Sequence, residues 1–434
     1  MTIKSLLKKL IKVNGVKFIN INYDTTIKGN RTIVDVELTK GKKGRCPICE
    51  KKCSGYDTTT ENRLWRHIDV AGNMLYIRCN VHRINCPIHG VHTEYVPWAS
   101  HNTNFTYQFE DMATWAAMRM TKKDVADFMR INWRTVGDII SRTRDRLEPD
   151  IKVRYSNLKR IGIDETSYKK GHKYITTVVD HDTNQVVWAA PGHDYDTLCK
   201  FFEELTEEQG ASIEIVSCDG AKWIKKAVLK YLPNAKICID PFHVVSWAED
   251  ALDEFRKELL SEERKKKNES KRANKGRPKK GEETYDATNY KRLRDGKYAL
   301  GKNPENLTTH QQSVVEEIQS VYPKLFKAYE LKEGLRAVFK ANSDDVESEL
   351  NRWLWWASHS KNKAFVELSK KIRDRKQQIL DTVHSGISNA RIESNNNKIK
   401  VLIRKSYGFR NLENMIDMIL LVCSNLPIVL PYKC

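Results

Sequence analysis

Residues 158–180, LKRIGIDETSYKKGHKYITTVVD, decide the fold of this 434-residue chain. LKRIGIDET reads as a strand that ends in Asp164, and YITTVVD (174–180) as a second strand. Working outward, QVVWAAP (185–191) is a third strand and YDTLCKFFEELT a helix. IEIVSCD is a continuous apolar run of the kind found in fully buried strands, and it closes on Asp219. AKWIKKAVLKYL follows as a helix with Ile224, Val228 and Tyr231 on one face, and AKICID is a short strand ending at Asp240.

The order β-β-β-α-β-α-β, three antiparallel strands followed by strands alternating with helices, is that of a ribonuclease H-like core. In such a sheet Asp164 and Asp219 end neighbouring strands, so their carboxylates could share one ion. That matters for phosphodiester chemistry. In an in-line displacement the attacking and leaving oxygens both carry negative charge, and two metal ions about 3.5–4 Å apart stabilise both. Mg²⁺ (or Mn²⁺) takes oxygen ligands, a few carboxylates plus substrate phosphate. Asp is also a common turn residue, so it is the pair in one sheet of a basic chain that points to a metal site. Glu165 competes with Asp164 for the first position. Asp240 competes with Asp219 for the second, where Asp219 ranks higher because it ends a strand directly before a helix. Asp240 and His243 would then assist in positioning.

A third carboxylate comes late. SNARIESNNNKIKVLIRKSYGFRN (388–411) reads as a helix capped by Ser388. Ile392, Ile399 and Ile403 make a buried stripe, while Glu393, Asn397, Lys400 and Arg404 share a polar face. One carboxylate, an amide and two cations on one side suit a metal-bound phosphate, although periodicity alone fits a solvated face equally well. Between Asp219 and Glu393 lie 173 residues, too many for one crossover. From Val244 to about Ser385 the pattern is helical and reads as an insertion. It contains RKKKNESKRANKGRPKKG (264–281), too charged to fold alone. Lys275, Arg277 and Lys279 in KGRPKK would lie in an A·T-rich minor groove, or else belong to a flexible charged linker. The tryptophans of RWLWWASHS, Trp353, Trp355 and Trp356, read as helical core rather than as platforms for bases.

Toward the N-terminus, Cys46 and Cys49 in CPIC and Cys86 and His89 in CPIH are two x2 pairs, each with Pro after its first Cys. Three Cys and one His complete a closed tetrahedral Zn²⁺ site of the structural type. Cys53, Cys79, His82 and His92 lie close enough to leave the ligand set open, and buried reduced thiols are the alternative. LYIRCNVHR alternates as a half-exposed strand, with Arg63, Arg66, Arg78 and Arg83 available to DNA. Next, RMTKKDVADFMRINWRTVGDIISRTRDRL has helix-turn-helix form. Thr121 and Asp124 start it as a capping box, Val125, Phe128 and Met129 face inward, and Asn132 caps a second helix that buries Val136, Ile139 and Ile140. Arg134, Arg142, Arg144 and Arg146 remain for a groove or phosphates. The chain has 75 Lys and Arg against 56 Asp and Glu, a net charge of +19, which serves solubility alone or, since the excess is clustered, a polyanion partner. The basic N-terminus lacks the features of a signal peptide, and no stretch reaches the ~18–20 apolar residues that span a bilayer. Ten Cys without a disulfide-like framework suit a reducing compartment.

These stretches carry a family resemblance. CPIC with LWRHID, NCPIHGVH, IGIDETSYKKGHKYITTVVD, SCDGAKWIKKAVLKYLPNAKICIDPFHVV, RWLWWASHS and SNARIESNNNKIKVLIRKSYGFRN occur in the order found in the ISL-three family of insertion-sequence transposases, which the chain resembles over almost its whole length. The resemblance implies a multidomain α/β protein. Residues 1–100 would form a zinc-binding domain and 101–150 a helix-turn-helix. Residues 151–245 would be the first part of a ribonuclease H-like catalytic core, 246–384 a mainly α-helical insertion with the basic linker 264–281, and 385–434 the second part of the core. It places an acidic triad on Asp164, Asp219 and Glu393 with two divalent ions. Its implied partners are DNA, as the element's terminal inverted repeats and as target, and a second copy of the chain in a homodimer or larger synaptic assembly, in a bacterial cytoplasm with no membrane. At the second Asp the family commonly has DMS where this chain has DGA, which puts only the neighbouring contacts in question. The rival reading is a zinc-dependent DNA-binding regulator with an inactive core. A Tyr or Ser recombinase would differ by a covalent protein–DNA intermediate.

Overall fold

A computed structural model describes residues 11–24, 30–273, 287–387, 390–424, 426–428 and 430. Lys275, Arg277, Lys279 and Ser388 lie outside the described residues. Two compact units emerge, Met1–Ile151 together with Lys398–Cys434, and Lys152–Asn397.

The first unit opens with strands β1 (Val16–Asp24), β2 (Arg31–Leu38), β3 (Ser54–Val70), β4 (Asn73–Cys86) and β5 (Gly90–Thr93). They form one sheet in the order β1-β2-β4-β3, with β5 on β4. Alternation along β4 sends Leu75, Ile77, Cys79 and Val81 to one buried face, where they meet Val34, Val36 and Trp65. Trp65 packs edge-to-face on Trp98, with ring centroids 5.3 Å apart.

Helices α1 (Tyr107–Ala117), α2 (Lys122–Met129) and α3 (Trp133–Leu147) follow. The predicted caps form. Thr121 and Asp124 make a reciprocal capping box, and Asn132 accepts from the Arg134 N–H. Between the helices Arg130 adopts φ 55°, the left-handed turn that ends α2. Val136, Ile139 and Ile140 are buried as predicted. Phe128 is not: it is 60% exposed, and the inner face of α2 is Val125, Ala126 and Met129. At 100° per residue Phe128 lies roughly 100° from the centre of that stripe, too far to reach the core of so short a helix. The C-terminal helix of this unit, Leu412–Cys423, packs on α3 at Gly137, where an added Cβ would meet the Asn414 Oδ1 at 2.5 Å.

The second unit holds β6 (Arg160–Lys169), β7 (Lys173–Asp180), β8 (Gln185–Pro191), β9 (Ile215–Cys218) and β10 (Lys236–Ile239), in the order β10-β9-β6-β7-β8. β6, β7 and β8 are antiparallel, while β9 and β10 run parallel to β6. β6 does not end at Asp164. β7 keeps pairing with it as far as Lys169, whereas its pairing with β9 stops at Gly162 and Ser217. Helices α4 (Tyr195–Glu204), α5 (Glu207–Ser212) and α6 (Lys222–Tyr231) lie between the strands in sequence. Leu198, Phe201, Ile224 and Val228 from α4 and α6 join Ile161, Ile163 and Val216 of the sheet in one core.

A second core of this unit is helical. It is built by α7 (Pro241–Ala273), α8 (Thr288–Leu300), α9 (Thr309–Val321), α10 (Pro323–Val338), α11 (Val346–Ser358), α12 (Lys363–Arg373) and α13 (Lys376–Ser385). Val244, Leu252, Leu335, Leu350, Trp353 and Phe365 are among its buried residues. Of the three clustered tryptophans, Trp353 is buried and donates to the Leu331 carbonyl at 2.8 Å, and Trp356 is partly buried. Trp355 is 65% exposed, so one of the three is not core. The helix carrying Glu393, α14 (Ala390–Lys405), follows, and then α15 (Leu412–Cys423). Among the described residues no helix is long and apolar enough to cross a membrane.

Candidate active site and metal centre

Register puts the aspartates side by side. Gly162 of β6 is level with Ser217 of β9, and Ile239 of β10 with Cys218 of β9. Counting on from those pairs, Asp164, Asp219 and Asp240 occupy one row, just past the last printed pairs of β6 with β9 and of β9 with β10. Neighbouring strands lie about 4.8 Å apart, so Asp219 in the middle is within reach of either flank. Asp164 and Asp219 repel each other electrostatically, and both act on Glu165. Burial, and then this repulsion, raise Glu165 to about 8. Burial raises Asp164 as well, against hydrogen bonds from Glu165 N–H and Asn396 and the nearby His243. Asp219 accepts from the Ala221 N–H at 2.8 Å. Asp240 accepts from the Phe242 N–H at 3.1 Å, at the start of α7, with His243 Nε2 3.8 Å from its other oxygen.

Helix α14 meets this row through Asn396. Its Nδ2 donates to Asp164 Oδ2 at 2.5 Å, while its Oδ1 accepts from Thr166 Oγ1 at 2.8 Å. The close approach depends on Gly162, where a Cβ would come within 2.1 Å of Ile392 Cδ1. Asn395 donates to the Asn184 carbonyl at 3.2 Å, and Arg391 donates to the His181 carbonyl. Glu393 precedes Asn396 by three residues and therefore stands one turn earlier on the same helix face. It is exposed, as are Asn397, Lys400 and Arg404, whereas Ile392 and Ile399 are fully buried. Sequence periodicity marked Asn397 for the polar face and missed Asn396. Its only signal was a run of three Asn after Glu393.

The second cluster is Cys46, Cys49, Cys86 and His89, whose ligand atoms all lie within 4.8 Å of one another. Cys49 Sγ is 3.8 Å from Cys86 Sγ, and His89 Nδ1 is 3.6 Å from both Cys46 Sγ and Cys86 Sγ. A tetrahedron with Zn–S of about 2.3 Å has S···S edges of about 3.8 Å, so the donors already stand at the separations zinc needs. Backbone N–H groups of His89 and Ile88, together with the His89 ring, hold the Cys86 thiol down to about 6. His92 bonds the His89 carbonyl at 2.7 Å rather than joining the set. Cys79 is buried in the apolar core of the sheet and is not among the four residues gathered here.

The cations assigned to DNA divide. Arg134 is exposed beside Trp133, itself 49% exposed. Arg142 instead pairs with the fully buried Glu110 at 2.7 Å, and Arg144 with Asp417 at 3.1 Å. Arg146 is held by Asp111. Of the N-terminal arginines, Arg78 and Arg83 pair with Asp35 and Asp57, and Arg66 is buried beside Asp69. Apart from Arg134, each of these cations has a carboxylate partner within its own unit, and Arg83 keeps half of its side chain exposed.

Comparison with known proteins decides the family. A family model described as transposase matches residues 161–419, from β6 to α15, and the helix-turn-helix domain of transposase family ISL3 matches residues 94–143. The chain belongs to the ISL3 family of DDE transposases. It is 40% identical over 404 residues to the transposase for insertion sequence element IS1557 of Mycobacterium tuberculosis, covering 93% of this chain and 91% of that one. It is 24% identical to the transposase for insertion sequence element IS1001 of Bordetella parapertussis, over 85% of this chain and 86% of the relative. This transposase binds DNA and catalyses transposition. The helix-turn-helix match covers α1, α2 and most of α3, and the transposase match takes in all three aspartates of the strand-end row together with Glu393.

Proposed function

We propose that Asp164, Asp219 and Glu393 are the catalytic carboxylates of this transposase, set in a ribonuclease H-like core that the helices between α7 and α13 interrupt. The observation that carries this reading is the register row, with Asp164 and Asp219 level on adjacent strands and the Glu393 helix anchored to Asp164 by Asn396. The donor set fits Mg²⁺ or Mn²⁺. It consists of hard carboxylate oxygens, those of Asp164 and Asp219 repelling each other, and no Lys or Arg among the described residues pairs with either aspartate. Two such ions, when bound, supply charge stabilisation for the attacking and leaving oxygens. Asp164 and Asp219 would hold them from the sheet and Glu393 from the helix.

Water displaces the 3′-oxygen from phosphorus at the element's end, giving a free 3′-hydroxyl and a 5′-phosphate. That hydroxyl then displaces a 3′-oxygen of target DNA, so one phosphodiester forms as another breaks and no protein adduct arises. The same site serves both steps. Asp240 stands at the end of β10, one strand beyond Asp219 from Asp164, which supports Asp219 for the second position. Cys46, Cys49, Cys86 and His89 would hold a structural Zn²⁺. The helix-turn-helix, through Arg134, would read the terminal inverted repeats, with Lys400 and Arg404 as further phosphate contacts. Pairing two ends calls for a homodimer or larger assembly.

The test uses Asp164→Asn, Asp219→Asn and Glu393→Gln with labelled terminal DNA and Mg²⁺. Each substitution is expected to lower cleavage and strand transfer by at least roughly 10³-fold while end binding stays within about twofold. Full strand transfer by any one of them removes that residue from the set.

A further inference from the structure

Two cations of the helical core stand beside the carboxylate row with no carboxylate in ion-pair range among the described residues. Lys371, in the last turn of α12, places its Nζ 3.3 Å from the centroid of the Trp247 ring. Arg375, one turn on, has its Cζ 5.3 Å from the same ring. Arg375 also donates to the Gly220 carbonyl at 3.3 Å, the residue after Asp219. Gly220 holds φ +85°, and an added Cβ there would meet Ile239 and Trp247, so the turn leaving β9 is pressed against this group. On α7, Trp247 follows His243 by one turn, and His243 acts electrostatically on Asp164. The cations therefore flank the carboxylate row on its Gly220 side.

Neither cation has a carboxylate within 4.0 Å among the described residues. The acidic group that acts on Lys371 is Asp250, from beyond that distance. Both side chains are half-buried. Burial and the Arg375 charge lower the Lys371 pKa, so the pair is held together against its own repulsion. The Trp247 ring offsets part of that cost. An anion with several acceptor oxygens would offset the rest, and the anion that must pass the carboxylate row is the DNA backbone. Lys would meet it as a point charge and Arg as a planar fork.

We infer that Lys371 and Arg375, seated on Trp247, bind a DNA phosphate next to the one that is cut. This rests on the reading of Asp164 and Asp219 as the reaction centre, but its test reads binding alone. The full chain is titrated, without added divalent ion, against duplexes of the element's own end. Each duplex carries a single neutral methylphosphonate at one position within a few nucleotides of the cut. Wild type is expected to lose affinity at one such position, and K371Q and R375Q to be insensitive there. On unmodified DNA each Gln variant should also give a log–log salt dependence shallower by about 1. K371R should retain the wild-type pattern. If both Gln variants keep wild-type sensitivity at every position and an unchanged salt slope, the inference is wrong. It is equally wrong if K371R loses as much as K371Q, because packing on Trp247 rather than charge would then be the cause. R375Q lies beyond the end of α12 and decides the matter should K371Q fail to fold. Failure of the carboxylate assignment would appear separately, as cleavage by Asp219→Asn.

Discussion

Asn396 shows how much of a site can hang on one amide. Thr166 Oγ1 donates to its oxygen, which leaves its nitrogen to face Asp164. Asn396 and Thr166 are both buried, so the amide that meets the carboxylate is itself fixed. A partner of this kind orients a ligand, and its loss typically costs 10–100-fold in metal affinity or activity. Asn396→Ala is therefore expected to raise the Mn²⁺ concentration for half-maximal cleavage by about 10–100-fold, with end binding unchanged. Asn396→Asp should do worse, since it sets a carboxylate against a carboxylate. An unaltered Mn²⁺ curve for Asn396→Ala would reduce the residue to packing. The sequence could not single it out. Positions i+3 and i+4 from Glu393 straddle one helix face, and which of the two touches the sheet depends on how α14 docks at Gly162. That approach is a tertiary fact without local periodicity.

At the level of elements, the strands of the second unit and the longer helices between them were legible, while register was not, and β1 and β2 of the first unit went unread. The apolar runs of β6 to β10 and the helices α4 and α6 between them stand where alternation and 3.6-residue spacing put them. The continuation of β6 past Asp164 depends on β7, a partner that the run itself does not encode. The short α5 escaped because six residues carry too little periodicity. The zinc cluster was legible for a different reason. Each x2 turn fixes its own pair, and the antiparallel pairing of β4 with β5, with Cys86 opposite Gly90, completes the local geometry. The expected choice among eight nearby Cys and His comes from the fold, which gathers four of them. Purified protein should carry one zinc per chain by elemental analysis. Removing it by chelation, or substituting His89→Ala, should lower Tm by roughly 10 °C, the scale of a ligand bound far above its Kd. Zinc content near zero in the folded wild type would dismiss the site.

For the whole molecule, a net charge of +19 suits a DNA-binding protein without saying where the DNA lies. The structure narrows this, because several arginines that read as DNA ligands are already committed. Arg142 sits against Glu110, which is fully buried and whose carboxyl burial pushes up against the pull of Arg142. Removing Arg142 leaves that acid without its main partner, and breaking a buried pair costs a few kcal/mol. Arg134 has no carboxylate partner among the described residues. It is exposed at the start of α3, the second helix of the helix-turn-helix, where the N-terminal residues of a recognition helix reach base edges. The two substitutions should therefore separate cleanly. Arg134→Ala is expected to weaken end binding by about tenfold and to flatten the log–log salt dependence by about 1, with Tm unchanged. Arg142→Ala should lower Tm by several degrees, while the salt slope of the fraction that remains folded stays at the wild-type value. Salt-titrated anisotropy and a thermal melt on each variant measure both quantities. The opposite assignment, with Arg142 carrying the salt dependence and Arg134 the stability, would mean that α3 presents its other face to DNA.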